Sequence, residues 1–223
     1  FVTGVQTGAL PIYTLMRNMV SRKPGDAERV YAWGLYLSGN NQDDLALAQL
    51  ATLPRGQWTD NIRELDARLQ SDKVIRQANQ LRDSGRETQA IALIQQQPPL
   101  VRYQLTLADW AQQRGDSQTA IAQYNAVLSQ EADNGDARLG LAEVYLAEGD
   151  KNAARAQVSQ LKGGETDSIN MQRRVALANA GFGDTAQAQQ IFNRIIPQAK
   201  AQPPSMESAL VLRDAARFQT QSE

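Results

Sequence analysis

The chain has 223 residues, with 23 Lys and Arg against 24 Asp and Glu, and neither His nor Cys. Those counts exclude Cys/His zinc sites, imidazole-dependent nucleophilic catalysis and a disulfide framework; a formal net charge of −1 argues against a nucleic-acid partner, whose phosphates call for a basic excess. Aromatics make up only 6%, good helix formers abound, and no apolar run approaches the roughly 20 residues that span a bilayer, so the composition predicts a soluble helical chain that is not itself membrane-embedded.

Residues 1–12 include the string VTGVQTGALPI, Val2 to Ile12, with neither helical nor strand period. It is close to the translation of a common sequencing-adapter oligonucleotide, which would give Cys where Gly8 stands. The segment is expected to be read-through and is set aside from the fold. The chain does not begin with Met and is expected to be a piece of a longer one. Residues 13–100 show an irregular pattern. Pro24, Trp33-Gly34, Leu37, Ala46, Leu50 and Leu53 fit one helix pair with Asn41 at its turn, and Gly85, Ala90 and Ile94 fit another. Against the regular period further on, the second pair lacks about four residues, and an insertion of about ten is expected near 54–72.

Residues 101–202 carry the regular signal. Gly-Asp recurs at Gly115, Gly149 and Gly183, 34 residues apart each time. Five residues on stand Ala120, Ala154 and Ala188; nine on, Tyr124, Val158 and Phe192; twelve on, Val127, Leu161 and Ile195; eight before, Leu107, Leu141 and Val175. A fixed period at several offsets marks stacked supersecondary units, here 101–134, 135–168 and 169–202. Each unit is predicted to be a helical hairpin. Leu107, Ala108 and Ala111 share a stripe of the first helix. The glycine supplies positive φ at the turn, the Asp caps the second helix, and Ala120, Tyr124, Val127 and Leu128 form its buried face. The small residue admits close approach and the bulky one fills the gap. Gly163-Gly164 reads as a turn between units. One hairpin cannot bury both its faces, so neighbours must stack. After Pro203-Pro204, residues 203–223 read as the first helix of a further unit, expected to leave Leu210, Val211 and Phe218 exposed at a fraying end. Both ends are expected to be cut inside a longer array.

The middle unit, with Leu141, Ala142, Tyr145, Gly149 and Ala154, resembles the tetratricopeptide repeat. Ala111 and Asn179 replace the family's aromatic in the flanking units, and the terminal Pro is missing from all three. The resemblance implies an all-α fold, a right-handed superhelix of antiparallel helix hairpins. A narrower resemblance rests on LTLADWAQQRGD (Leu105 to Asp116), QRRVALANAGFGDTAQAQ (Gln172 to Gln189) and NRIIPQAKAQPPSMESALVLRD (Asn193 to Asp214), with YLSGNNQD (Tyr36 to Asp43) and RLQSDKV (Arg68 to Val74). These stretches resemble the periplasmic repeat region of the bacterial cellulose-export subunits. That resemblance implies a non-enzymatic periplasmic scaffold, without cofactors, whose repeats precede an outer-membrane β-barrel and link it to the synthase. Its partners would be other proteins of that complex, with the glucan chain or peptidoglycan as further contacts.

In tetratricopeptide arrays the first helices line the concave face. Those offsets fall on Arg102, Asp109, Gln112 and Gln113, then Asp136 and Glu143, then Asn170 and Arg173. The strip is polar and of mixed charge, suited to hydrogen-bonding a peptide or glucan; the plainer reading is a solvated face. Trp33 and Trp110 fall at core offsets, whereas Trp58 lies in the expected insertion and is a candidate for stacking on a sugar ring. Asp109 and Glu143 could be cast as a glycosidase pair, though nothing in their spacing demands it. Two alternatives stand beside the scaffold: a cytoplasmic peptide-binding adaptor of the same fold, and a carbohydrate-active enzyme.

Overall fold

The computed structural model describes residues 10–161, 164 and 167–222, and apart from one short 3₁₀ turn the regular elements among them are α-helices. The chain divides into two compact units, Phe1–Gln97 and Pro98–Glu223. Most of the expected adapter segment lies outside the described residues; the first helix begins at Leu10.

The first unit holds α1 (Leu10–Arg22), α2 (Ala27–Gly39), α3 (Asp43–Leu50), α4 (Asp60–Asp83) and α5 (Glu87–Gln95). Its core joins Val30, Trp33 and Leu37 of α2, Ala46 and Leu50 of α3, Leu53, and Ile62, Leu65 and Leu69 of α4. Tyr13 of α1 meets the Trp33 ring edge-on at 5.0 Å, and Trp33 stacks on Tyr36 at 5.8 Å. The insertion expected near 54–72 is mostly helix. Only 51–59, with a 3₁₀ turn at Arg55–Gln57, is irregular, and the remainder lengthens α4 to 24 residues. Two local causes account for this. The Thr59 hydroxyl accepts from the Ile62 N–H and starts the helix early. Ile62, Leu65 and Leu69 then recur at helical spacing and are buried.

The second unit stacks α6 (Val101–Gln113) with α7 (Ser117–Gln130), α8 (Gly135–Ala147) with α9 (Lys151–Val158), and α10 (Ile169–Gly181) with α11 (Thr185–Ala201), followed by α12 (Met206–Ser222). The predicted hairpins are all present. Ala120, Tyr124 and Val127 pack with Ala108, Ala111, Leu141 and Val144, while Leu128 is half-buried beside them. Ala154 and Ala142 pack with Ala178 and Phe182. Ala188, Phe192 and Ile195 pack with Val211 and Phe218. Leu107 and Val175 are only half-buried. Gly163 lies outside the described residues; Gly164 has φ +147°.

Among the described residues, five hairpins close by the same device. At Asn41, Gly85, Gly115, Gly149 and Gly183 φ lies between 59° and 94°. The next residue's N–H reaches back to the carbonyl five before it at 2.8–2.9 Å, and the turn residue's own N–H reaches the carbonyl three before it. These paired bonds satisfy carbonyls that a helix end leaves open. Asp116 and Asp150 then cap their helices through Thr119 and Ala153. Asp184 makes no such bond and instead lies 3.7 Å from Arg155.

One expectation is overturned. Val211 and Phe218 are buried, Leu210 is half-buried, and it is Met206 and Leu212 that are exposed. The apolar stripe of α12 faces the preceding hairpin, where Phe218 meets Phe192 at 5.3 Å, and so does not wait for a following one.

Candidate functional site

The first helices of the second unit carry the polar strip, and the structure sorts its residues into two groups. The first surrounds the Tyr124 phenol. Tyr124 comes from α7, and its ring lies so close over α8 that a Cβ on Gly140 would fall 2.2 Å from Cζ. Its hydroxyl therefore passes between the first helices and donates to Gln112 Oε1 at 2.8 Å. Burial raises the phenol pKa, and the negative charges of Asp109, Glu143 and Asp136 raise it further, with Arg174 opposing them. Four of the expected strip residues thus gather round one buried hydroxyl. Gln113 joins them by donating to Asp109 Oδ2 at 2.7 Å.

Arg174 is the residue that sequence spacing does not single out. It projects from α10 to α8, and its Nε and Nη2 take both oxygens of Glu143. Burial alone would depress its guanidinium pKa, but the hydrogen bond and charge of Glu143 outweigh that and hold it up. The pair is half-buried, so its attraction is screened less than at an open surface. Glu143 is thus a strut between adjacent repeats, with both carboxylate oxygens held by Arg174.

The second group centres on Asp214 of α12. Arg173 Nη1 donates to its Oδ2 at 2.8 Å and Arg213 Nε to its Oδ1 at 2.9 Å, while Arg173 Nη2 reaches Asn170 Oδ1 at 2.8 Å. Burial pushes the Asp214 carboxyl up, yet the hydrogen bonds from Arg213 and Arg173 carry it below its ordinary value. Glu143–Arg174 and Arg173–Asp214 thus tie α8 to α10 and α10 to α12 along one strip. Arg102 is exposed near the start of α6, beside Tyr103.

In the first unit, Trp58 is half-buried against the core. Its indole N–H donates to the Leu53 carbonyl at 3.0 Å, and the Arg55 guanidinium lies 5.1 Å from its ring centroid. Its polar edge and one face are thereby engaged in closing the turn before α4. Trp33 and Trp110 are both buried, as core offsets require. Among the described residues no group of three or more acidic side chains is disposed to hold a metal ion, and no helix is long and apolar enough to cross a membrane.

Comparison with known proteins agrees with this architecture. The tetratricopeptide repeat family pattern matches residues 111–177. A solved tetratricopeptide repeat protein from Parabacteroides merdae covers 88% of this chain and 73% of its own at a TM-score of 0.53, with 13% identity. It shares the fold. The chain is 59% identical over 94% of its length to the cellulose synthase operon protein C of Escherichia coli K12, and 60% identical over 93% to that of Salmonella typhimurium. It spans 18% of the length of each. The resemblance seen in short strings therefore runs along nearly the whole chain, whose fold is an all-α tetratricopeptide-repeat solenoid.

Proposed function

We propose that this repeat segment is a non-enzymatic scaffold within a bacterial cellulose-synthesis and export machinery, standing in the periplasm between the synthase side and an outer-membrane export barrel. The observation that carries the reading is the identity of about three residues in five with cellulose synthase operon protein C over almost the entire chain. Its mechanism is spatial. Hairpins supply length, neighbour-to-neighbour contacts hold them in order, and the strip on the first helices offers a polar surface to other proteins of the complex. Arg102, Asp109, Gln113 and Asp136 are its exposed members; half-buried Gln112 holds the Tyr124 hydroxyl, and Glu143, Asn170 and Arg173 hold its helices in place.

The test is a replacement in cells. The corresponding stretch of a full-length relative is exchanged for residues 13–223, and secreted cellulose is measured by dye binding. Exchange is expected to preserve output. Reversing charge at Asp109 and Asp136 together is expected to lower output several-fold while the protein's amount and its place in the outer membrane stay unchanged. Unchanged output from that double variant would remove the strip from the mechanism, and failure of the unmodified exchange would remove the scaffold reading itself. The purified chain is expected to leave cello-oligosaccharides intact; turnover would favour the enzyme alternative.

A further inference from the structure

Asn134-Gly135 stands at the start of α8, and its chemistry is independent of the scaffold reading. An Asn side chain followed by Gly is open to attack by the next backbone nitrogen, since no Cβ shields that nitrogen. We propose that Asn134 is a spontaneous deamidation site in the folded protein, gated by opening of the first turn of α8.

The reaction balances without a cofactor. A water-derived base removes the Gly135 N–H proton, and the nitrogen attacks Asn134 Cγ. The new N–Cγ bond forms, the Cγ–Nδ2 bond breaks, and Nδ2 leaves as ammonia. Water then opens the cyclic imide at either carbonyl, giving aspartate or isoaspartate. The net change is one water consumed, one ammonia released and one negative charge gained, with no change of oxidation state.

The native geometry holds this step back. Asn134 sits at φ −66°, ψ 106°, which places Cβ away from the Gly135 nitrogen, so ring closure requires a large rotation about the Cα–C bond. Three hydrogen bonds resist it. Asn134 Oδ1 accepts from the Ala137 N–H at 2.9 Å, Nδ2 donates to Glu131 Oε2 at 2.9 Å, and the Asn134 carbonyl accepts from the Arg138 N–H at 3.2 Å. All three are local to one helix end, where opening is cheapest. The consequence reaches the polar strip, because the new charge lies two residues from Asp136. As aspartate it faces Glu131. As isoaspartate it adds a methylene to the backbone and removes the cap.

The experiment follows the tryptic peptide Gly115–Arg138 by mass spectrometry during warm incubation at mildly alkaline pH, with fragment ions separating Asn134 from Asn125. The full chain is compared with itself in guanidinium. Conversion at Asn134 is expected in the native chain, at least about tenfold slower than in the unfolded one, as one lost cap implies. Glu131→Ala is expected to speed the native reaction and leave the unfolded rate unchanged. Gly135→Ala is expected to slow conversion strongly in both states, since a Cβ hinders attack by the backbone nitrogen, with the fold intact because that Cβ would meet Met171 Cε at an ordinary 3.5 Å. Equal native and unfolded rates, or no native conversion after about a hundredfold the unfolded half-time, would overturn the proposal, as would conversion at Asn125 instead.

Discussion

Gly140 and Tyr124 show how one missing side chain sets the polar strip. The ring sits where any Cβ on Gly140 would be, and only that approach lets the hydroxyl reach Gln112. Gly140→Ala is expected to cost about 1–3 kcal/mol through overpacking, against a helix-propensity gain of roughly 1 kcal/mol, for a net loss in urea unfolding. Gly39→Ala, where a Cβ would meet nothing within 4 Å, is the matched control and is expected to be neutral or stabilising. Tyr124→Phe removes only the hydrogen bond, for about 0.5–1.5 kcal/mol. Asp214 gives a prediction in pH. Its folded carboxyl titrates below the ordinary 3.8, so its contribution is complete above that value and is lost as pH falls through the folded pKa. Urea midpoints measured from neutral pH downward should fall more steeply below about pH 4 for the native chain than for Asp214→Asn. The sequence made Tyr124 legible through its offset from Gly115. Gly140, Arg174 and Asp214 were not, because each acts on a residue 16 to 41 positions away and no local period marks them.

Each hairpin is legible where its joint is, since turn, cap and small–bulky pair all lie within one window of sequence. Ala154 is fully buried between α8, α9 and the next hairpin. Ala154→Trp is therefore expected to cost at least about 1–3 kcal/mol and to speed amide exchange in α8 to α11 more than in α2 and α3. An unchanged midpoint would refute the register assigned to this repeat. Element lengths were less readable. The cap at Thr59 and the helical spacing of Ile62, Leu65 and Leu69 were present in the sequence near 54–72, but three apolar positions do not show how far α4 runs; their burial against another hairpin decides it. The stripe of α12 was readable as apolar, but not which neighbour it served. Val211 and Phe218 could have awaited a later helix, and instead they meet Phe192 and its surroundings.

At the scale of the whole molecule, composition and period together established the helical class, while the link to cellulose came from particular strings that no physical rule requires. Charge is balanced overall and along the strip: net charge is −1, and three acids there share one neighbourhood with Arg174. Raising ionic strength is accordingly expected to change thermal stability little, because the half-buried pairs are poorly screened; a midpoint shift larger than a few degrees between low and high salt would show that exposed pairs matter more than this.

The recurrent closure at five hairpins carries a consequence for how such chains diverge. Every closure is sealed by bonds confined to six consecutive positions, so gains and losses of residues elsewhere leave it untouched. Turn to turn, 44 residues separate Asn41 from Gly85 and 30 separate Gly85 from Gly115, against 34 between the later turns, yet all flank the same joint. Joinery of this kind is interchangeable while the beams are cut to any length, and a lineage can retune the span of its array without having to reinvent a corner.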